Sequence, residues 1–308
     1  MRRTIISSLI AAAIGVSAAS IAMAAGVLPP DDDEELVPTG KGYGQRVPPG
    51  IAKAPPGNAK PQGSNGIVYH GGPLILGTTH MYYIWYGNWS GNSATNILTD
   101  LASNIGGSPY FNINTTYYNG SNTKVTNSVA LAGSTTDNYS QGTSLSDSQI
   151  QSVVSNAIAG GLPKDTNAVY FVLTSADVTA SSGFCTQYCG WHTHGTIGGS
   201  DIKYAFIGNP DRCPSACAAQ TVGPNGNAGA DGMASIISHE LEESVTDPDL
   251  NAWFDRRGAE NADKCAWTFG STSTAGNGAA YNMTLGSRNY LIQQNWVNAS
   301  GGFCAKSF

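Results

Sequence analysis

Charged side chains are scarce in this sequence. Lysine, arginine, aspartate and glutamate make up 12% of the 308 residues, whereas about a quarter is typical of soluble domains. The 15 basic side chains are outnumbered by 21 acidic ones, which gives a formal charge of −6. Because nucleic acids and anionic membranes are bound through basic patches, this balance argues against both as partners.

The sequence also lacks an apolar run long enough to span a membrane. Its most apolar early stretch, residues 5–14, is short and broken by serines, and it follows Arg2 and Arg3. With a small-residue cleavage site at residues 22–24, this pattern predicts a secretory signal over residues 1–24, of the bacterial Sec type. Removing Arg2 and Arg3 from the 15 basic side chains leaves 13 against 21 acidic ones, a formal charge of −8. We therefore expect a secreted or periplasmic protein with no membrane attachment after cleavage.

Residues 25–66 have almost no apolar pattern, and they hold eight of the 15 prolines. Such a segment cannot bury enough surface to offset the entropy lost on ordering, so it is predicted to be a disordered linker rich in proline and glycine. The folded part is then a single domain over residues 67–308. Its segments change between strand-like and helical periodicity, which predicts an α/β (or α+β) domain with a mixed sheet and flanking helices.

Individual elements follow from local patterns. Ser146 and Gln149 form a capping box ahead of an apolar stripe, which predicts a helix that ends near Gly160. Another helix is expected from Gly229 to just before Pro248, which cannot continue it. A third helix is expected over residues 93–106, and strands are expected over 66–72, 80–89, 124–133, 167–178, 203–209 and 288–297.

Cysteine is missing from the first 184 residues, and six cysteines follow. An even number in an exported chain predicts disulfides that tie the loops, although six cysteines allow 15 pairings. The pairs we expect are Cys185–Cys189, Cys213–Cys217 and Cys265–Cys304. The alternative is a zinc cluster made by the two C-x-x-x-C pairs with His192 and His194, which an oxidising compartment disfavours.

The stretch SHELEESVTDPD at residues 238–249 begins like the zinc-protease signature His-Glu-x-x-His but lacks its second histidine. Glu243 stands in that place. On a helix, His239 and Glu243 share one face one turn apart, so the two side chains can hold one ion. Zinc accepts carboxylate oxygen as well as imidazole nitrogen, and Glu240 is then placed as a general base. This predicts a zincin-like centre with zinc as the metal.

Several residues could supply the third metal ligand. A Glu followed closely by an Asp about twenty residues after the signature resembles thermolysin-type enzymes, with Asp263 orienting a ligand. Glu260 is preferred, because a following helix can place it opposite the first. The alternatives are Asp249 at the metzincin spacing, and His192 or His194 in the Cys185–Cys189 loop. The competing structural interpretation is a buried hydrogen-bond hub, because ionisable groups are rarely buried unless they are paired.

A calcium ion is a further possibility near the end of the same segment. Asp247, Asp249, Asn251 and Asp255 stand at mostly alternate positions, like the start of a calcium loop. The glycine and the closing glutamate of an EF-hand are absent, so only a looser calcium site is predicted. The structural alternative is a helix-ending turn rich in Asp and Asn.

Six segments, in order, resemble the phosphate-induced/exordium family of secreted proteins, best known from plant cell walls. They are YHGGPLILG at 69–77, YYIWYGNWS at 82–90, GFCTQYCGWH at 183–192, YAFIGNPDRCPSAC at 204–217, SHELEESVTDP at 238–248 and AENADKCAW at 259–267. This sequence looks like a bacterial relative, and it departs at Asp247, where plant members tend to have asparagine. The resemblance implies an extracellular protein linked to growth and cell walls, and it brings no established biochemical activity.

Two functional hypotheses follow. In the first, the domain is a metal-dependent hydrolase of peptide or cell-wall material, in which His239, Glu243 and Glu260 bind zinc and Glu240 is the base. In the second, it is a non-catalytic extracellular protein that binds cell-wall polysaccharide or a peptide partner on the same scaffold. A serine-hydrolase G-x-S-x-G motif is missing, and all the cysteines are expected to be paired, so nucleophilic alternatives have no support.

Overall fold

Helices and strands are mixed along the folded part of the chain. The computed structural model describes Pro38, Lys41 and residues 66–308. The predicted signal over 1–24 and nearly all of the predicted linker over 25–66 lie outside these residues. The α-helices are α1 (Ala94–Asn104), α2 (Asp147–Ala159), α3 (Pro214–Cys217) and α4 (Ala228–Thr246), and short 3-10 helices cover Phe111–Thr116, Pro210–Arg212 and Asp263–Cys265. Among the described residues, no helix is both long and apolar enough to cross a membrane.

The strands fall into one central sheet and several two-stranded pairs. Their bounds are β1 (Val68–Tyr69), β2 (Thr79–Tyr86), β3 (Val129–Asp137), β4 (Ser144–Leu145), β5 (Ala168–Thr174), β6 (Thr179–Ala180), β7 (Gly190–Ile197), β8 (Ser200–Ile207), β9 (Trp253–Phe254), β10 (Ser273–Thr274), β11 (Ala280–Tyr281), β12 (Met283–Leu285), β13 (Arg288–Tyr290), β14 (Asn295–Val297) and β15 (Phe303–Ala305). The pairs are β1 with β9, β4 with β6, β10 with β11, β12 with β13, and β14 with β15.

The central sheet has the order β3-β2-β5-β8-β7. Its first four strands are parallel, and β7 pairs with β8 in the antiparallel direction at one edge. Every residue of β5 is buried, as expected for a parallel strand whose two faces are both covered. The aromatic segment of β2 is buried in the same core, with Tyr83 and Tyr86 fully inaccessible. A single α/β domain with a mixed sheet is therefore confirmed.

The helices that cover the sheet begin where their sequences predict. The side chain of Ser146 accepts a hydrogen bond from the Gln149 amide, and the Gln149 side chain accepts one from the Ser146 amide, so the capping box of α2 is confirmed. Helix α4 begins after Asn227, whose side chain accepts a 3.0 Å hydrogen bond from the Ala230 amide. It ends two residues before Pro248. Its residues from Met233 to Thr246 are all buried, although they include a histidine and three glutamates.

Close contact between α4 and β7 depends on a glycine. A Cβ atom placed on Gly190 would lie 2.5 Å from Ile236 Cγ2, 2.9 Å from the Phe206 carbonyl oxygen and 3.1 Å from Glu240 Oε1. Alternation along the strand puts His192 and His194 on the same side as Gly190. The edge strand therefore presents its imidazoles to the helix that carries His239 and Glu240.

The disulfides correct the predicted pairing. Cys265–Cys304 is confirmed, but the other two bridges are Cys185–Cys213 and Cys189–Cys217. The predicted Cys185–Cys189 and Cys213–Cys217 pairs are wrong because Cys213 and Cys217 lie four positions apart at α3 and both face the loop before β7. The two bridges therefore join that loop to the segment after β8. With all six sulfurs paired, the zinc cluster with His192 and His194 is excluded.

Three other predictions need correction. His192 and His194 lie on β7 rather than in a loop, because the strand follows the second cysteine at once. Glu260 precedes a single 3-10 turn, Asp263–Cys265, rather than a helix. The late strand predicted over 288–297 is divided into β13 and β14, each paired with a different neighbour.

We predict that Gly190→Ala destabilises the domain by about 1–3 kcal/mol, the usual cost of overpacking, because the added methyl meets Ile236 and a backbone carbonyl. Denaturant unfolding measures the change. Gly276→Ala is the matched control, since a Cβ there meets nothing within 4 Å, and its effect should stay within about 0.5 kcal/mol. Equal effects of the two substitutions would contradict the tight contact between β7 and α4.

Candidate metal centre

Three segments bring ionisable side chains together in the interior. Helix α4 carries His239, Glu240 and Glu243, β7 carries His192, and the loop after β9 carries Glu260 and Asp263. The loop after β9 is held against α4 by Asn261, which donates a 3.2 Å hydrogen bond to the Glu242 carbonyl oxygen. Asn261 also donates a 3.3 Å hydrogen bond to Asn114 Oδ1. The loop is also tied to β15, because Cys265 bonds to Cys304.

The first group of donors surrounds His239. Its Nε2 lies 2.9 Å from Glu243 Oε1 and 3.5 Å from Asp263 Oδ1. The Asp263 amide donates a 3.1 Å hydrogen bond to Glu243 Oε1, which keeps the loop close to the helix. One donor atom from each of the three side chains lies within 4.8 Å of the others. Ligands held about 2.0–2.2 Å from one zinc ion stand roughly 3–3.5 Å apart, so this group has the right size.

The second group surrounds His192. Its Nε2 lies 3.1 Å from Glu260 Oε2 and 3.6 Å from Glu243 Oε2. Glu240 completes this group, since His192, Glu240 and Glu243 also offer donor atoms within 4.8 Å of one another. Glu243 therefore belongs to both groups, with a different oxygen facing each histidine.

Many of these buried atoms have no hydrogen-bond partner. Both oxygens of Glu240 are unpartnered, as are both ring nitrogens of His239 and one oxygen each of Glu243, Glu260 and Asp263. His239 Nε2 lies 2.9 Å from Glu243 Oε1, yet no hydrogen bond forms between them. Buried donor atoms that lie this close together without hydrogen bonds are what a metal site requires of its ligands.

Burial dominates the electrostatics of the centre. It raises the pKa of Glu240 and Glu260 well above the usual range, and neighbouring carboxylates add to the shift. Burial and the charge of Asp263 raise the pKa of Glu243 to about 7, even though His239 opposes the shift. Burial lowers the pKa of His192 to about 3, so this imidazole is neutral at physiological pH, the form that binds metals. For His239, the carboxylates outweigh burial and raise the pKa.

Glu242, on another side of α4, is a buried glutamate with an amide partner for one of its two oxygens. Its Oε2 accepts a short hydrogen bond from the Asn295 amide group. Burial raises its pKa, and the neighbouring amides of Asn114 and Asn295 oppose the shift. Glu240 has no such amide beside it, although it lies only two residues away.

The residues proposed for calcium are engaged in hydrogen bonds and ion pairs of their own, and Asp247 also lies beside Glu260. Asp247 Oδ1 accepts 2.6 Å hydrogen bonds from the Asn251 and Ala252 amides, which closes a turn after α4. Asp255 forms a 2.8 Å ion pair with Lys264. Asp249 faces Lys203 Nζ at 3.4 Å and lies 3.7 Å from His194, away from the His239 group.

His194 belongs to a group with Asp201 and Asp249 that could also hold an ion by distance alone. Lys203 Nζ lies 2.6 Å from Asp201 and 3.4 Å from Asp249, so an ammonium group already supplies the positive charge there. This more exposed group is therefore an ion-pair network rather than a metal centre.

The structure brings together His239, Glu240 and Glu243 from the predicted set. Glu260 lies nearby, but its close contact is with His192. Asp263, expected only to orient a ligand, directly approaches His239. Sequence reasoning placed His192 among the alternatives and in a loop. Its position facing α4 would have followed from recognising residues 190–197 as a strand.

The chain matches known proteins over its folded part. Residues 67–305 match the sequence model described as the phosphate-induced protein 1 conserved region. Protein EXORDIUM-like 3 of Arabidopsis thaliana is 31% identical over 278 positions, covering 76% of this chain and 82% of the relative. Protein EXORDIUM-like 5 of the same plant is 32% identical, covering 76% of this chain and 77% of the relative. Protein PHOSPHATE-INDUCED 1 of Nicotiana tabacum is 29% identical, covering 61% of this chain and 67% of the relative.

No solved structure matches the chain, so the expected zincin-like fold has no structural neighbour to support it.

We predict opposite effects for two substitutions on α4 in chelator-treated protein. Glu240→Met should stabilise the domain by on the order of 1 kcal/mol, because an apolar side chain replaces a buried carboxyl group without partners. Glu242→Met should destabilise it by about 1–3 kcal/mol, because the Asn295 amide loses its acceptor. Denaturant unfolding in the presence of chelator compares the two. Destabilisation by both would mean that Glu240 has a partner within the protein.

Proposed function

The chain belongs to the phosphate-induced protein 1 (exordium) family, and we propose that it is an extracellular divalent-metal protein whose centre lies between α4, β7 and the loop after β9. Zinc is the first metal to consider, held by His239 and Glu243 with a carboxylate from the loop. The supporting observation is the convergence of donor atoms that are buried and unpartnered, above all the two oxygens of Glu240.

The donor set fits a divalent ion better than it fits a hydrogen-bond hub. In a hub, each buried polar atom has a partner, because an unsatisfied buried group costs about 1–3 kcal/mol. Here the carboxylate oxygens outnumber the available donors. Imidazole nitrogen with carboxylate oxygen suits zinc, and a carboxylate-rich set also accepts harder ions such as manganese.

Extracellular placement is supported by the three disulfides, which persist in oxidising compartments. The signal proposed for residues 1–24, of a bacterial Sec type, is part of the same proposal. Calcium near Asp247, Asp249, Asn251 and Asp255 is a separate proposal, which the same metal measurements address.

We predict that zinc raises the melting temperature of chelator-treated protein. An ion present at about 1,000 times its Kd adds about 4 kcal/mol of stability, and Glu243→Gln should abolish the gain. His80→Gln is the control, because His80 pairs with Asp165 in a part-exposed site of β2. Differential scanning fluorimetry measures the shifts. No shift in the unsubstituted protein with zinc, manganese or calcium would refute metal binding.

A second candidate function is hydrolysis of peptide or cell-wall material, and the position of Glu240 favours it. A divalent ion at this centre would polarise a carbonyl group or make a bound water more acidic. His239 and Glu243 would hold that ion, Asp263 would orient His239, and Glu240 would accept the proton of the attacking water. The side chains of His239, Glu243 and Asp263 are at most 4% exposed, so a substrate reaches Glu240 only after a covering segment moves.

We predict for this second function that Glu240→Gln loses turnover while the ion on His239 stays bound. Peptide mixtures and wall polysaccharides are incubated with zinc-loaded protein, and products are measured by mass spectrometry alongside the zinc content. Full turnover by Glu240→Gln would remove Glu240 as the base. Zinc binding without turnover of any substrate would favour a non-catalytic protein that binds peptide or polysaccharide, which co-sedimentation with wall polysaccharide then tests.

A further inference from the structure

We propose that Glu243 is a bridging ligand between two divalent metal ions, one held with His239 and Asp263 and the other with His192 and Glu240. This inference rests on the proposed metal-binding function and deepens it. It changes the role of Glu240 from base to ligand of the second ion, with Glu260 beside it.

The two oxygens of Glu243 face in different directions. Oε1 lies 2.9 Å from His239 Nε2, and Oε2 lies 3.6 Å from His192 Nε2. Each oxygen therefore has its own histidine, and each histidine has its own further carboxylate: Asp263 for His239 and Glu260 for His192. A carboxylate that offers one oxygen to each of two donor groups is the arrangement that bridges metals, which in two-metal sites lie about 3.5–4 Å apart.

The charges of the centre also fit two ions. Glu240, Glu243, Glu260 and Asp263 carry four negative charges when ionised. Their ion-pair partners in the described part of the chain are His192 and His239. With both imidazoles neutral, a single divalent ion leaves at least two uncompensated charges in the interior, whereas two ions balance these four. Asp247, buried beside Glu260, adds a further carboxylate. Uncompensated buried charge is expensive, so the second ion has a strong electrostatic reason to bind.

The unpartnered atoms are distributed over both groups. If only the His239 group held an ion, the two oxygens of Glu240 and the free oxygen of Glu260 would stay buried without partners. Both residues are at most 1% exposed, so water cannot satisfy them from outside. A second ion beside His192 gives these oxygens a ligand role.

The test is the metal content of the full secreted chain, stripped with chelator, loaded with zinc and desalted. Two zinc ions per chain are expected by elemental analysis. One zinc ion would overturn the bridged pair and leave the proposed function standing, whereas none would refute both. Loading with manganese should give the electron paramagnetic resonance spectrum of an exchange-coupled pair. Two ions with the spectrum of isolated manganese would also overturn the bridge.

Variants assign the ions to their groups. His192→Gln and Asp263→Asn should each lower the content from two ions to one, and Glu243→Gln should abolish the coupled spectrum. His80→Gln should keep two coupled ions. Circular dichroism confirms the fold of each variant before metal analysis. If His192→Gln retains two coupled ions, the second ion is not in the His192 group and the assignment is wrong.

Discussion

The strongest constraint on this fold is the enclosure of four carboxylates and two imidazoles in one small volume. Glu240, Glu243, Glu260, Asp263, His192 and His239 approach one another from a helix, an edge strand and a loop. An apolar core tolerates changes of shape, but a group of buried charges is stable only if its geometry is maintained and its charge is balanced. Much of the surrounding structure contributes to maintaining that geometry.

Different contacts hold each of the three segments, the helix, the edge strand and the loop, in its position at the centre. Gly190 lets β7 approach α4, and two disulfides hold the loop that leads into β7. Asn261 and the Cys265–Cys304 bond hold the loop after β9. Helix α4 is itself fixed by its packing, since its last fourteen residues, from Met233 to Thr246, are all buried. A centre assembled from such distant parts of the chain forms only when the whole domain has folded.

Local patterns in the sequence predicted those features that depend on local interactions. The capping box at Ser146, the bounds of α4, the buried aromatic strand β2 and the pairing of His239 with Glu243 all follow from neighbours in the chain. The role of His192 could not be predicted in this way. Residues 190–197 contain glycine, threonine and histidine without strand-like apolar alternation, so only pairing with β8 identifies them as a strand. The cysteine partners and the contact of Glu260 with His192 likewise depend on long-range packing.

The neighbouring bridges Cys185–Cys213 and Cys189–Cys217 have a consequence for the redox chemistry of the domain. Cys213 Sγ and Cys217 Sγ lie only 3.7 Å apart, so the two disulfides are adjacent in space. If one bridge is reduced, its thiolate stands next to the other bridge and can attack it, because thiol–disulfide exchange proceeds through such an encounter. Once one bridge has been reduced, the four cysteines form one exchange unit, in which each attack forms one disulfide and releases one thiolate, so no further external thiol is needed. Correct pairing at the entrance to β7 is then set by the native packing around the sulfurs rather than by the order in which the bonds form.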